Sequence, residues 1–162
     1  LTSNNEDRSI CSRCGGECCK TQPGIDHPAP YLAADDPAIA LAARLGSGTW
    51  VLSLHPWRDT ATDIWEALYY PRPATVVEQA AGSLLAQSDD AHCTFLTPAG
   101  CQLPFAERPY LCQVLEPNIT FSCSAPWSKR DAALAWRPQQ ELVHAAVQHL
   151  GRPPLSRQPW ES

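Results

Sequence analysis

The stretch CSRCGGECC, residues 11–19, holds four of the chain's eight cysteines: Cys11, Cys14, Cys18 and Cys19. A C-x-x-C turn folds the backbone back so that two sulfurs face one ion. Gly15 and Gly16 permit the tight path that a third nearby sulfur requires. The adjacent pair projects in two directions, so one of Cys18 and Cys19 ligates the same centre while the other bridges a second metal, packs or reacts. The other four cysteines, Cys93, Cys101, Cys112 and Cys123, are more widely spaced. Four thiolates suit tetrahedral zinc or a cubane iron–sulfur cluster. Spacing alone does not choose between them. The run departs from the ferredoxin pattern and lacks the second C-x-x-C of a zinc ribbon. Disulfides or inert buried thiols are the competing reading.

The surrounding composition narrows the classes. The segment LTSNNEDRSI, residues 1–10, has no basic region followed by an apolar one, so no secretory signal is expected in it. Thiolate chemistry is then favoured over disulfides, and a cytoplasmic location is expected. No run approaches the roughly 20 apolar residues of a membrane span. Net charge is −5, and the 12 Lys and Arg are scattered, which argues against phosphate-based nucleic-acid binding. With 44% hydrophobic and 18% charged residues the chain reads as globular. Its 16 prolines, about twice the usual ~5% frequency, imply stiff loops between short elements.

Residues 37–46 predict a helix, with Asp35 and Asp36 as caps, Pro37 in the first turn and Gly46 at the C-terminal cap. A short strand is expected at TWVLSL (49–54), and a helix or irregular arm at DTATDIWEALYY (59–70). Val76, Val77, Ala80, Leu84 and Leu85 lie near helical spacing, predicting a core helix over 74–87. HCTFLTPAGCQL (92–103) reads as a tight β-hairpin around Thr97-Pro98-Ala99-Gly100, and a short helix or turn follows from Pro104. A last helix is expected over 138–150, burying Leu142, Ala146 and Leu150. His27, His55, His92, His144 and His149 read as surface or packing residues rather than ligands, and the six tryptophans chiefly as packing. Trp57 and Trp127, each beside a proline, are candidates to wall a metal centre from solvent. Arg108 is expected to pair with carbonyls or a carboxylate, and Arg13 to be solvated.

The two cysteine blocks together carry a resemblance. CSRCGGECC is followed, some eighty residues on, by Cys93, Phe95-Leu96, Gly100-Cys101, Arg108-Pro109, Cys112 and Pro117. In this order the motifs resemble the YkgJ-type CxxCxxxCC cysteine-cluster family, described as zinc- or iron-chelating proteins. The resemblance implies Cys11, Cys14, Cys18, Cys19, Cys93, Cys101 and Cys112 as metal ligands. Cys123 lies outside the motif and is a further candidate. Seven or eight thiolates exceed the four that one zinc takes, which favours an iron–sulfur cluster of the 4Fe–4S kind over one or two zinc ions.

The expected architecture is a small, loop-rich α+β domain over residues 1–151, organised around a polycysteine metal centre, with a flexible C-terminal tail at 152–162. The expected function is metal binding with a redox, sensing or metal-handling role. The alternatives are a structural zinc domain that binds a protein partner and a cluster-dependent enzyme that modifies a protein substrate. A protein partner is expected, without nucleic acid or membrane. No residue is assigned a catalytic role.

Overall fold

The structure is a computed structural model and describes residues 16–20, 23–87, 91–116, 120 and 123–160. Its helices are α1 (Glu17–Lys20), α2 (Ala29–Leu32), α3 (Pro37–Gly46), α4 (Val76–Ala81), α5 (Tyr110–Val114), α6 (Lys129–Trp136) and α7 (Gln140–His149). Two ten-residue strands, β1 (Trp50–Asp59) and β2 (Ile64–Pro73), form one antiparallel hairpin. Two short strands, β3 (Leu96–Thr97) and β4 (Gly100–Cys101), form another. The fold is mixed helix and sheet, compatible with a small α+β domain. Among the described residues no helix is long and apolar enough to cross a membrane.

The long hairpin is the scaffold, and half of it was expected to be something else. Residues 59–70 form no helix or arm. Asp59 opens a reversal by accepting from the N–H groups of Ala61 (2.9 Å) and Thr62 (3.3 Å), and Asp63 takes the left-handed conformation at φ 57°. The chain then returns as β2, in register from Asp59↔Ile64 to Trp50↔Pro73. Every residue from Ala67 to Pro73 is buried. Covering both faces removes the alternation by which a strand is recognised.

The edges of this hairpin are managed by chemistry. Leu52 exchanges backbone hydrogen bonds with Leu84 and Ala86, extending the sheet by one short parallel bridge. On the far edge of β2, the Gln140 side-chain amide accepts from Tyr69 N–H (2.8 Å) and donates to Tyr69 C=O (2.9 Å), as a neighbouring strand would. Pro71 C=O accepts from Asp26 N–H and Ala67 N–H donates to Arg157 C=O. The strand prolines Pro56, Pro71 and Pro73 all fall where an N–H would point away from the partner strand, so none interrupts the ladder.

Helix α3 forms as expected: Asp36 accepts from Ile39 N–H at 3.1 Å, with Pro37 in the first turn. Gly46 ends the helix rather than capping it, and Ser47 is the cap. α3 buries Leu41, Ala42 and Leu45. α7 starts at Gln140, after a 3-10 turn at Arg137–Gln139, and buries Val143, Ala146 and Val147. The buried stripe is thus turned from the expected one, and Leu142 and Leu150 lie at the core margin. α6, for which no helix was predicted, starts with a Ser128–Asp131 capping box and ends on the fully buried Trp136. Past Gly151, where a flexible tail was expected, residues 155–160 run along the hairpin. There Leu155 is buried, Tyr69 donates to Ser156 C=O at 2.8 Å, and Trp160 meets Trp65 edge-on.

The expected core helix over 74–87 is corrected most sharply. α4 spans six residues, and Gly82 ends it at φ 65°. Val76, Val77 and Leu85 are exposed, while the residue α4 buries is Glu78. Arg72 clamps this carboxylate with two parallel hydrogen bonds of 2.8 and 3.0 Å and also donates to Ser53 Oγ and Pro73 C=O. Thr75 and Gln87 donate backbone N–H groups to the same carboxylate. Desolvation raises the proton affinity of Glu78, but the Arg72 hydrogen bonds, aided by the N–H groups of Thr75 and Gln87, outweigh it and hold the pKa at about 2 against an ordinary 4.5.

Two outcomes follow for this buried pair. Glu78→Ala strands the Arg72 guanidinium and is expected to cost about 3–5 kcal/mol, measured by urea unfolding. Because the folded pKa lies below the unfolded one, the wild-type contribution is fully present above pH 4.5. It is expected to be lost as pH falls toward 2, a decline that Glu78→Ala should reduce.

Candidate metal centre

The described cysteines lie on three backbone segments: the segment of Cys19 touches the one that carries Cys93, and Gly24, a few residues on, touches the one that carries Cys112. Cys19 sits in α1, and its C=O accepts from Cys93 N–H at 2.9 Å. Preceding it, Gly16 has φ 81°, and a side chain there would begin 2.5 Å from Leu96 Cδ1. Residues 16–20 thus meet the turn that carries Cys93 through a backbone hydrogen bond, and the hairpin that carries Cys101 through the Leu96 side chain. Cys93 is buried and bridges to Thr75, whose neighbour Ala74 accepts from Thr94 N–H. The Arg72–Glu78 clamp, by fixing Thr75, therefore also fixes Cys93. Cys101 stands opposite Leu96 in the small hairpin and carries a free thiol.

Cys112 is held on α5 against residues 24–26. Leu111 N–H donates to Ile25 C=O at 3.1 Å. A β-carbon on Gly24 would overlap the Cys112 sulfur and reach 3.2 Å from its backbone nitrogen. Glycine is required there for close approach and not for an unusual φ. Cys123, half-buried, is brought back toward the end of α5 by the antiparallel bridge Glu116↔Ser124. Arg108 donates to Leu103 C=O at 3.1 Å, as expected of it, and Gln113 ties α5 to Arg108 C=O at 2.8 Å.

Asp26, which no sequence motif marked, joins α5 to the core. Its Oδ2 accepts from the Tyr31 hydroxyl (2.7 Å) and Arg44 Nη1 (3.3 Å); its Oδ1 accepts from His27 N–H (3.0 Å) and Tyr110 N–H (3.2 Å). Trp136 Nε1 donates to its carbonyl at 2.8 Å. Burial, and then the Asp26 charge, push the Tyr31 hydroxyl well above the ordinary tyrosine range.

The aromatic expectations divide. Trp127 packs edge-on against Tyr110 of α5 at 5.0 Å, with His27 between 5 and 6 Å from both rings. Trp57 lies elsewhere in the contact pattern, under Arg130 and Arg137. Trp50 stacks near Phe95 of the cysteine hairpin, at 6.4 Å. His27 is committed as an acceptor for Ala29 N–H, His92 is exposed, and His144 packs edge-on against Tyr69.

Cys11, Cys14, Arg13 and Pro117 lie outside the described residues, as does the Cys18 side chain. Among the described residues no group of three or more His, Cys, Asp or Glu could hold a metal ion. The described thiols alone therefore do not make a site. What joins them is the backbone hydrogen bond between Cys93 and Cys19 and the close contact of Gly24 with Cys112. Comparisons with protein-family models, with curated proteins and with solved structures found no match.

Gly24→Ala is expected to displace Cys112 and lower stability by about 1–3 kcal/mol, the usual range for overpacking. Alkylation of Cys112, followed by mass spectrometry under native conditions, should be faster in that variant. An unchanged rate would mean that the Gly24 contact does not govern this thiol.

Proposed function

We propose that this chain is a metal-binding protein that holds an iron–sulfur cluster of the 4Fe–4S kind through thiolates of its two cysteine blocks. The ligands are drawn from Cys11, Cys14, Cys18, Cys19, Cys93, Cys101 and Cys112, with Cys123 as a further candidate, and the role is redox, sensing or metal handling. The observation that carries the reading is the hydrogen bond from Cys93 N–H to Cys19 C=O, which joins blocks 74 residues apart in sequence (93 − 19). The close approach of Gly24 to Cys112 supports it on the second side. The ordered resemblance to the YkgJ-type motif adds to it, and so does the thiol count: eight sulfurs exceed what one zinc needs.

Thiolates are soft, charged donors suited to iron–sulfur clusters and zinc. A bound cluster would supply electron storage at a potential set by burial and by hydrogen bonds to sulfur. The chain's own contribution is to bring distant thiols together and cover them, with Cys93 already buried. Because ligands from both blocks are needed, metal binding and chain closure should reinforce each other.

Anaerobic purification, followed by iron, zinc and acid-labile sulfide analysis, is the direct test. About four irons and four sulfides per chain, with broad visible absorbance, are expected. Stripping the metal should lower the Tm. One or two zinc ions in a colourless protein would replace this reading with the structural zinc domain that docks a protein partner. Cysteines oxidised to disulfides in reduced extract would overturn both.

A further inference from the structure

Residues 155–160 take no part in the cysteine reading, and they cross the outer edge of β2. Leu155 is buried at the margin of the core. Ala67 N–H donates to Arg157 C=O at 2.9 Å, the Tyr69 hydroxyl donates to Ser156 C=O at 2.8 Å, and Trp160 meets Trp65 edge-on at 5.7 Å. The Arg157 guanidinium forks onto the Glu141 carboxylate of α7 at 2.7 and 3.3 Å, and both side chains are exposed. One half-buried ring lies where these contacts meet. His144 is one turn beyond Glu141 on the same face of α7, and it packs edge-on against Tyr69 at 6.2 Å. Tyr69 therefore touches His144 with its ring and the crossing segment with its hydroxyl. Glu141 holds the Arg157 cation within a helical turn of the same imidazole.

We propose that residues 155–160 are a pH-sensitive strap: protonation of His144 sets a second positive charge beside Arg157, and the segment then releases from β2. Release uncovers the Ala67 N–H, the Tyr69 hydroxyl and the Trp65 ring, at the end of the hairpin away from Thr75 and Cys93. The other charges on elements packed against α7 are committed. Arg44 of α3 pairs with Asp26, Arg72 of β2 with Glu78, and Glu66 of β2 with Arg137. Asp36 caps α3, and Arg152 and His149 are exposed. Burial first, and then the Arg157 charge, lower the proton affinity of His144 against the opposing pull of Glu141. The closed form thus binds this proton less tightly than an open one. Closure is fully supported above the ordinary histidine value of 6.5 and is lost as pH falls below it. Glu141, held below its ordinary 4.5 by the Arg157 hydrogen bonds, stays ionised through that window, so its own titration does not release the strap there.

The test is native-state hydrogen exchange in the full chain, read by NMR at single amides. The protection factor of Ala67 N–H, which removes the intrinsic effect of pH, should fall about threefold or more between about pH 7.5 and about pH 5.5. Tyr69 N–H, held by the Gln140 side chain at 2.8 Å and not by the strap, should keep its protection. His144→Gln, uncharged at both pH values, should abolish the fall at Ala67. Arg157→Gln removes the repelled cation and should diminish the fall while lowering protection at both pH values. Arg157 is exposed, so folding should survive in that variant even if His144→Gln disturbs the packing on Tyr69. The proposal is overturned by constant Ala67 protection in the wild type, by an undiminished fall in either variant, or by an equal fall at Tyr69, which would mean that the whole edge opens together.

Discussion

Asp26 is the residue on which the arrangement turns. A buried carboxylate must have its oxygens satisfied, and each unmet partner there costs about 1–3 kcal/mol. Asp26 meets that demand by recruiting Tyr31, Arg44 and the amide of Tyr110, while its backbone engages Pro71 and Trp136. One residue therefore ties the segment just after the first cysteine block to α2, α3, β2, α6 and α5. The close contact of Gly24 with Cys112 follows from it, since the same segment docks on the same helix. The Arg72–Glu78 pair does for Cys93 what Asp26 does for Cys112. The two sides of the cysteine region are each held by a buried charge.

The parts of this fold legible in sequence are those governed by local chemistry. Asp36-Pro37 announced α3 because a side-chain cap and a proline act within one turn. Thr97-Pro98-Ala99-Gly100 announced the small hairpin because Gly100, at φ 105°, supplies a conformation few residues accept. The Ser128–Asp131 capping box was equally local, yet the helix it starts was passed over, because Trp127 and the following charges mask a weak apolar stripe. β2 was illegible for a different reason: from Ala67 to Pro73 every residue is buried, so that part of the strand carries no period. Around α4 the apolar pattern misled, since the helix turns its valines outward to bury a carboxylate that only Arg72, six residues earlier, makes tolerable.

The candidate centre was legible as a set of residue types and illegible as geometry. Cysteine clustering and order pointed to a shared site. Nothing in the spacing marked Gly24, Asp26 or Thr75, whose roles exist only once distant backbone segments touch. The same holds for the contact between β1 and α6. Arg130 reads as scattered charge until the fold lays its guanidinium over Trp57, with His55 beside the same ring.

The finish of that hairpin's edges bears on how other molecules could engage it. Tyr69 already has both backbone groups taken by the Gln140 amide, Pro71 and Pro73 offer no donor, and Leu52 is spoken for by residues 84–86. Pro56 breaks what remains of the β1 edge. An incoming peptide would find no continuous row of main-chain groups to zip onto, so recognition by β-augmentation is closed along this scaffold. A partner must instead read side chains and shape, which makes its choice more dependent on sequence and less prone to templated self-association.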